Sequence, residues 1–401
     1  MPLDPFVVAE DVASRYPADA ATDVSPDEQP PHDVCAIVLA GTHQWGDGVF
    51  ERVLRGPLLP VAHTPLIEYP LQWLRDAGIR TAVLCANSAT SALHDALGSG
   101  SPESLALRYF EDGEPRGPAG CARDAAVMTD AERFIVLEGT IIPTLDCHAL
   151  LSAHRASGAA ATVVVEFDRR RRGMASGVRR QPAGIYVFER EVLSSVAATG
   201  YQDIKEGLLG RLNDAGRHVA MHEVRGLSAK VLDYSSYASV SRWLVSRAVE
   251  RPTFLPHYFR VGEGMHHPTA FVHPSARLVG PVLLAAGARV EDDAVIVGPA
   301  TIGQRSIVGS GAIVTRSFVW DDCVVGDGAI VDSSVLADRS LVTPGEHLKN
   351  VTHLPEDVPL QPRTAGSRTP SADLMPGLTS ATEVLRTGFA AQAPAARAAQ
   401  R

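Results

Sequence analysis

An apolar residue recurs at every sixth position along the last third of this 401-residue chain. The first eight positions of the series are Val272, Leu278, Leu284, Val290, Ile296, Ile302, Val308 and Val314. After a slip of one residue the series continues at Val319, Val325, Val331 and Ala337. A six-residue period is typical of a parallel β-helix, in which each hexapeptide forms one face of a triangular coil. The series therefore predicts a stacked β-helix of about four coils over residues 267–345.

A second small or apolar residue follows each of these positions by four, which strengthens the prediction. These residues are Ala276, Val282, Ala288, Ala294, Ala300, Ser306, Ala312, Phe318, Cys323, Ala329, Val335 and Leu341. Trp320, Asp321 and Asp322 mark the slip, and we expect an exposed bulge there. His266, His267 and His273 suggest a metal or acid–base site, but their H-P-T-A-F-V-H-P-S-A context favours a structural role in the first coil.

The chain before the repeat follows a different pattern, in which short apolar runs alternate with helical segments. The predicted strands are CAIVLAG (35–41), TAVLCAN (81–87), LALRYF (105–110), RFIVLEG (133–139), ATVVVEF (161–167) and GIYVFER (184–190). Such alternation predicts an α/β domain over 33–249 whose doubly wound, mostly parallel sheet is covered on both faces. Ligands of such sheets bind at the carboxyl ends of the strands. A linker is expected over 250–266.

Composition narrows the function classes further. The formal net charge of −9 argues against sequence-independent binding to nucleic acid, and no apolar run has the roughly 20 residues of a membrane span. The five cysteines are widely spaced, which favours reduced thiols in the cytoplasm. Residues 1–32 and 346–401 are rich in proline and polar residues, so we expect disordered tails.

Six segments resemble a known family: VLAG (38–41), PLLPVAHTPLIEYPLQWLRDAGI (57–79), GPAG (117–120), FIVLEGTIIPTLD (134–146), GIYVFEREVL (184–193) and the stretch from Gly226 to Tyr237. They are similar to the sugar-1-phosphate nucleotidyltransferases, and most of all to mannose-1-phosphate guanylyltransferases with a C-terminal left-handed β-helix. The resemblance implies a Rossmann-like nucleotidyltransferase sheet and a left-handed coil. It also implies that nucleotide or sugar would contact Leu39, Ala40, Gly41, Gly46, Gly48, Gly117, Gly120, Gly139 and Gly184.

The residues that carry the chemistry of this family are replaced here. In the family a sugar phosphate attacks the α-phosphate of a nucleoside triphosphate, and Mg²⁺ and cationic side chains stabilise the developing charge. By the resemblance, Gly46 stands in place of an arginine and Gly56 in place of a lysine. Thr140 and Lys230 occupy the positions of the two aspartates that bind the metal. We therefore expect no catalytic residue and no metal site.

The leading hypothesis is a non-catalytic nucleotidyltransferase homologue of nucleotide-sugar or polysaccharide metabolism. It would bind a nucleotide sugar or a nucleoside triphosphate, and act as a regulatory or scaffold subunit in a homo-oligomer or with an intact homologue. One alternative is an active, Mg²⁺-dependent nucleotidyltransferase whose catalytic residues have moved. Another is an acyltransferase built on the β-helix, although no histidine lies between residues 274 and 346.

Some residues keep two interpretations. Asp47, Arg52 or Arg55 could replace the missing groups in a rebuilt loop, and Asp146 could either bind a metal or cap the helix at 147–156. The run Arg169 to Arg172 could bind phosphate or form a mobile basic loop. His43 and His63 flank the loop that would bind phosphate, and for both we expect a solvent-facing position.

Overall fold

The computed structural model describes residues 33–41, 56–86, 90–101, 103–111, 113, 116–168, 179–224, 229–250 and 257–355. These residues form two compact units. The unit that we call the sheet unit holds residues 33–41 and 69–224, and the coil unit holds residues 56–68 and 229–355. The segments 56–68 and 229–250, which we expected in the first domain, therefore group with the β-helix.

One seven-stranded sheet organises the sheet unit, with the strand order β10-β8-β9-β6-β1-β4-β5. Its strands are β1 (Val34–Leu39), β4 (Thr81–Ala86), β5 (Ala106–Glu111), β6 (Arg133–Glu138), β8 (Ala161–Asp168), β9 (Arg179–Glu189) and β10 (Val219–Val224), and a short β7 (Ile141–Ile142) follows β6. The helices are α1 (Glu68–Asp76), α2 (Thr90–Leu97), α3 (Gly117–Ala126), α4 (Cys147–Ser157), α5 (Arg190–Ser194) and α6 (Leu209–Asp214). A π-helical turn spans Ile204–Leu208 and leads directly into α6.

The strands are buried on both faces, as the apolar runs predict. In β1 the consecutive residues Cys35, Ala36 and Ile37 are each 1% exposed or less, although their side chains alternate between the faces. All neighbouring strands are parallel except β9, which runs antiparallel to β6 and to β8. The doubly wound, mostly parallel sheet is therefore confirmed.

A buried polar network ties the amino-terminal edge of this sheet together. His154, near the end of α4, shares a hydrogen bond of 2.8 Å with the Thr162 hydroxyl through Nδ1 and lies 3.1 Å from Glu189 Oε1 through Nε2. Arg133 Nε donates to the same carboxylate at 2.7 Å. Burial lowers the pKa of His154 and keeps the ring neutral. Because these polar groups satisfy one another's hydrogen bonds, we assign them a structural role at this edge of the sheet.

The coil unit begins with a 3-10 turn (Gly56–Leu58) and the hairpin of β2 (Pro60–Val61) and β3 (Thr64–Pro65). A short β11 (Ala229–Lys230), α7 (Tyr234–Glu250) and β12 (Phe259–Val261) precede the coils. Face one of the β-helix consists of β14 (Phe271–Val272), β17 (Arg289–Val290), β20 (Ile307–Val308), β23 (Val324–Val325) and β26 (Leu341–Val342). Face two consists of β15 (Arg277–Val279), β18 (Val295–Val297), β21 (Ile313–Thr315), β24 (Ile330–Asp332) and β27 (His347–Lys349). Face three consists of β13 (Gly264–His266), β16 (Val282–Leu284), β19 (Ala300–Ile302), β22 (Phe318–Val319), β25 (Val335–Leu336) and β28 (Thr352–His353), with β12 antiparallel at its edge.

Parallel pairing between successive coils confirms the parallel β-helix. The repeat is larger than expected at both ends, because β12 and β13 lie in the predicted linker and β27 and β28 lie beyond residue 345. His267 and His273 have the structural role that we favoured. The Nδ1 atom of each ring shares a hydrogen bond with a hydroxyl in the same corner of the coil. The partner is Thr269 for His267 (2.9 Å) and Ser275 for His273 (2.8 Å).

The slip in the repeat recurs in every later coil, which corrects part of the predicted register. Partners on face three are eighteen residues apart for Leu284 and Ile302 but seventeen apart from β19 onward, as for Ile302 and Val319. The first two turns into this face contain Gly-Pro, and the later turns are one residue shorter with a left-handed residue: Arg316 (φ 48°), Ser333 (φ 51°) and Asn350 (φ 54°). As a result Leu336 pairs with Val319 where we expected Ala337 to continue the series, and Leu341 points outward and is 59% exposed.

Helix α7 covers face three, and this explains the second correction. Trp320 is 3% exposed, because its indole packs against Tyr237 of α7 and donates from Nε1 to the Tyr237 hydroxyl at 2.9 Å. The expectation of an exposed bulge is therefore wrong for Trp320, while Asp322 is exposed as expected. The covering helix also buries outward residues of this face, such as Leu283 and Phe318. None of the helices in the described part of the chain has the length and hydropathy of a bilayer span.

Candidate functional site

Four of the expected binding residues meet where β1 and β6 end. The Gly139 N–H donates to the Leu39 carbonyl at 2.9 Å, and the Ala40 N–H donates to the Cys85 carbonyl at 2.8 Å. A Cβ on Gly139 would lie 3.3 Å from the Leu39 oxygen and 3.4 Å from Ala40 Cα. A side chain here would be tight, because two segments of the chain approach closely. Gly41 continues from them as an exposed residue.

Gly117 and Gly120 open helix α3 at the same edge of the sheet. Gly117 has φ 77°, and a Cβ there would lie 2.6 Å from the carbonyl oxygen of Gln202. The Ala119 N–H donates to this carbonyl at 3.0 Å, so the segment before the π-helical turn closes over the start of α3. A Cβ on Gly120 would lie 2.7 Å from Arg116 Cβ. Both glycines therefore serve close backbone packing beside the strand ends.

Gly184 lies in β9 beside the last residue of β6. Its φ is 90°, and a Cβ would lie 2.9 Å from Oε1 of Glu138. The missing side chain leaves room for the Glu138 carboxylate, whose Oε1 lies 4.0 Å from Nζ of Lys205 in the π-helical turn. Glu138 is partly buried and Lys205 is more exposed, with side-chain exposures of 14% and 38%. An acid and an ammonium group thus lie together at the carboxyl edge of the sheet.

Sequence reasoning missed Glu138, Lys205 and three neighbours, Tyr186, Gln202 and Tyr201. Glu138 carries a signal in the sequence, since it is an acid that ends an otherwise apolar strand, RFIVLE. The other residues carry none, because a tyrosine inside an apolar strand is usually a core residue and the segment 201–205 reads as an ordinary loop. Tertiary folding brings them to the strand ends.

Thr140, at which the resemblance implies a metal-binding aspartate in the family, lies next to these strand ends. Thr140 follows Gly139 directly and is partly buried. It offers a hydroxyl at the position where the resemblance implies a carboxylate. Asp146 acts as the N-cap of α4, because its Oδ1 accepts from the N–H groups of His148 (2.8 Å) and Ala149 (3.2 Å). The capping prediction is confirmed. Among the described residues no three His, Cys, Asp or Glu side chains come close enough together to hold a metal ion.

Two further replaced positions lie in the coil unit. Gly56 is buried at the start of the 3-10 turn, and its carbonyl accepts a hydrogen bond from the Leu59 N–H at 3.2 Å. Lys230 is partly buried in β11. Gly46 and Gly48 lie outside the described residues, as do the alternatives at Asp47, Arg52, Arg55, His43 and 169–172.

We expected His63 to face solvent, but the structure shows that its ring packs inside the coil unit. Its ring is stacked against Tyr258, with 6.0 Å between ring centroids, and Nδ1 shares a hydrogen bond of 3.0 Å with the Tyr258 hydroxyl. Its Nε2 is buried without a hydrogen bond within the described part of the chain. Burial lowers the pKa of His63 to about 4, so the ring is neutral at physiological pH.

Comparison with known proteins agrees with this geometry. The family model described as "Nucleotidyl transferase" matches residues 51–181, and the model described as "GMPPB C-terminal domain" matches residues 278–366. The first match includes the end of β6 and Gly139 but begins after β1, and the second includes most of the β-helix. The chain thus carries a nucleotidyl transferase domain and a GMPPB C-terminal domain, and its homologues are sugar-1-phosphate nucleotidyltransferases.

Characterised relatives of this nucleotidyltransferase homologue differ in the nucleotide that their names give. A UTP–glucose-1-phosphate uridylyltransferase of Synechocystis is 23% identical over 66% of this chain and 77% of its own length. A mannose-1-phosphate guanylyltransferase of Mycobacterium tuberculosis is 26% identical over 71% of this chain and 82% of its own. A glucose-1-phosphate thymidylyltransferase of Streptomyces griseus is 25% identical over 71% and 80%. The chain thus spans most of the length of relatives named for three different bases.

Proposed function

We propose that this nucleotidyltransferase homologue binds a nucleotide sugar without catalysing nucleotidyl transfer, and acts as a regulatory or scaffold subunit in nucleotide-sugar and polysaccharide metabolism. One observation carries the proposal. Gly139 keeps its close packing against Leu39 and Ala40, but the next residue, Thr140, has no carboxylate and Asp146 is engaged as a helix cap. The backbone frame of a binding site is retained beside a position that has lost its charge.

The loss of charge bears directly on catalysis. Attack on an α-phosphate concentrates negative charge on the bridging and leaving oxygens, and a protein lowers the barrier by presenting positive groups and a metal there. Removing one such preorganised group typically costs about 10²–10³ in rate. The replacements at Gly46, Gly56, Thr140 and Lys230 concern four groups at once. Binding needs none of them, since backbone N–H groups and packing can hold a nucleotide.

The test combines binding with turnover. We expect calorimetry to show binding of UDP-glucose, GDP-mannose or dTDP-glucose, and we expect no pyrophosphate release above background from the matching NTP and sugar 1-phosphate with Mg²⁺. A variant that restores the family residues (Gly46→Arg, Gly56→Lys, Thr140→Asp and Lys230→Asp together) should gain turnover, whereas Asp146→Asn in the same background should not remove it.

Turnover by the unaltered chain at ordinary enzyme rates, of the order of 1–10³ s⁻¹, would reject the proposal. It would favour the alternative of an active nucleotidyltransferase with relocated residues. Loss of that activity in Asp47→Asn or Arg52→Met would then identify the new site. A chain that neither binds nor turns over any of the three nucleotides would contradict both.

The proposed partner is a second chain, either another copy or an intact homologue. Supporting this, face one of the β-helix presents apolar side chains outward: Phe271 is 40%, Val324 38% and Leu341 59% exposed. The proposed location is the cytoplasm, and the five buried cysteines, none of which forms a disulfide, support it. We propose neither nucleic acid nor a membrane as a partner.

A further inference from the structure

The first coil leaves one end of the β-helix interior partly uncovered. Four of its inward side chains are only partly buried: Ala270, Val272, Ala276 and Leu278. Their counterparts one coil later are fully buried: Ala288, Val290, Ala294 and Ile296. A solenoid repeat buries its apolar residues against its neighbours, so a terminal coil needs a cover on its outer side.

His266 places a polar group inside this end. It pairs with Leu284, an inward residue of the next coil, so its ring points into the interior. The side chain is 6% exposed, and its Nε2 makes no hydrogen bond within the part of the chain that the structure describes. Phe259 lies beside the ring, with 6.2 Å between ring centroids. Because a buried polar atom without a partner is costly, this end lacks a group that would complete it.

Exposed apolar side chains surround the same end. We call them the first-coil rim: Phe259 (48% exposed), Val261 (42%), Phe271 (40%) and Val279 (49%). β12 is the outermost strand of its sheet, so one edge of its backbone has no strand partner among the described residues. Edge strands usually carry charged groups or a cover that prevents pairing with another chain. An apolar rim beside an open strand edge therefore favours the docking of another chain.

The opposite end of the β-helix is polar. Glu346 takes the place that Ala329 has one coil earlier, and its carboxylate accepts from the N–H and the hydroxyl of Thr343 at 2.8 Å each. The Lys349 side chain is 73% exposed at this end. The chain also continues beyond this end, from Pro355 to Arg401. The apolar rim therefore matches the first coil of another copy better than the opposite end of that copy.

Two exposed charges of opposite sign identify the partner. Arg260 lies in β12, and Glu263 follows in the tight turn to β13, on the other side of Val261 and Gly262. A two-fold axis between Val261 and Gly262 reverses the chain direction, and it places Arg260 of each copy opposite Glu263 of the other. The same axis brings the two Val261 residues close together. The rim is thus complementary to itself in charge as well as in polarity.

We infer that a second copy of this chain docks head to head on the first-coil rim, with the two β12 strands antiparallel across a two-fold axis. The inference goes beyond the proposed function, because it does not depend on nucleotide binding, and the rim shares only Phe271 with face one. A standard interface has about 20–30 residues on each side, and the rim has far fewer, so this contact is weak by itself. It joins chains that already associate through face one into larger assemblies.

Disulfide trapping tests this geometry directly. The five native cysteines are buried, so a cysteine introduced on the surface reacts selectively. We expect Val261→Cys to form a covalent dimer about tenfold faster than Val351→Cys, the matched control. Val351 is a similarly exposed valine (38%) at the opposite end of the coils. Both variants also carry Val324→Glu and Leu341→Glu, which remove face one. Equal rates would overturn the inference. Mixed dimers as the main product of the two variants together would show head-to-tail stacking and would also overturn it.

Charge reversal tests the pairing of Arg260 with Glu263. Each single reversal, Arg260→Glu or Glu263→Arg, puts like charges opposite each other and should slow the trapping of Val261→Cys about tenfold. The two reversals together should restore the rate, and circular dichroism checks that each variant is folded. A double reversal that fails to restore trapping, or single reversals that do not slow it, would overturn the two-fold arrangement. Trapping that occurs only with an intact homologue would overturn the second copy as the partner.

Discussion

His63 sits in the two-residue turn of the β2–β3 hairpin, where Ala62 and His63 have φ of 48° and 65°. Residues other than glycine seldom take positive φ, and asparagine and histidine do so more readily than most. The ring is held by Tyr258 of the same unit, 195 residues further along the chain, at 3.0 Å. The turn is thus fixed by a contact that also keeps a titratable ring away from water.

This contact makes the stability of the coil unit sensitive to acid. The pKa of His63 is about 4 in the folded chain, whereas an unfolded histidine has a pKa of about 6.5. The unfolded chain therefore binds the proton first, so the stabilisation is complete above about pH 6.5 and is lost as the pH falls toward 4. We expect the free energy of unfolding to drop by about 2 kcal/mol from this group between pH 7 and pH 4.5.

The variant His63→Asn tests this expectation by urea unfolding at both pH values. Asparagine tolerates the left-handed backbone and does not titrate, so the pH-dependent loss should shrink by the amount given above. His94→Asn, at an exposed histidine of α2, should leave the pH dependence unchanged. Equal slopes for His63→Asn and the unaltered chain would show that His63 is not the group responsible.

At the scale of single residues, the sequence predicted the positions of the glycines at close contacts better than the positions of the polar residues. Gly117 and Gly184 have positive φ at close approaches where a Cβ does not fit, and Gly139 lies where a Cβ would be tight. A glycine within a recognisable motif can be predicted from the local sequence. His63, Glu138 and Lys205 depend on partners far away in the chain, and no local pattern records those distances.

At the scale of elements, the junction between α7 and face three links three segments of the coil unit. The Tyr237 hydroxyl donates to the Pro60 carbonyl at 2.6 Å and accepts from Trp320 Nε1 at 2.9 Å. Tyr237 is 1% exposed, and Phe318 packs edge-on against it with 6.0 Å between ring centroids. One hydroxyl thus connects the β2–β3 segment, α7 and the β-helix.

We expect Tyr237→Phe to destabilise the coil unit by about 2 kcal/mol, because it leaves the Pro60 carbonyl and the Trp320 indole N–H without their buried partner. Hydrogen exchange should become faster in residues 59–67 and in α7, while the coils on faces one and two keep their protection. Tyr234→Phe is the control, since its hydroxyl donates to the Ser333 carbonyl at a half-buried place (3.0 Å) and should cost less. Uniformly faster exchange throughout the unit would contradict a local junction.

Elements with a periodic apolar pattern were predicted correctly, whereas features that depend on the length of a turn were missed. The six-residue series predicted the β-helix, and the apolar runs predicted six strands of the sheet. The recurring slip was missed because a left-handed turn at Arg316, Ser333 or Asn350 has no clear sequence signal, whereas Gly-Pro is a recognisable turn signal. Trp320 was expected to be exposed because its cover, α7, lies about 80 residues earlier in the chain.

At the scale of the whole molecule, the two units divide the expected binding residues. The sheet unit holds Leu39, Gly117, Gly139 and Gly184, and the coil unit holds Gly56 and Lys230. The sequence indicated two architectures in the right order, but it placed residues 56–68 and 229–250 with the sheet. A domain boundary reflects contact density in space, which a linear pattern cannot display.

The outward side of face one makes a prediction about assembly. Its strands align Phe271, Arg289, Ile307, Val324 and Leu341 in one column through the register of the coils. Four of these five are apolar, and the guanidinium of Arg289 lies 4.8 Å from the centroid of the Phe271 ring. A mostly apolar column at the surface favours association, because burying it removes apolar area from water.

We therefore expect the chain to associate through face one at micromolar concentration, and Val324→Glu with Leu341→Glu to yield monomers, since each carboxylate would have to be desolvated in the interface. Light scattering after size exclusion measures the mass directly. Val127→Glu, at a residue of the sheet unit that is 77% exposed, is the matched control and should leave the mass unchanged. If the purified chain is already monomeric, mixing with an intact homologue distinguishes a hetero-oligomer, which the same two substitutions should abolish. Association that survives both substitutions would place the interface on another surface.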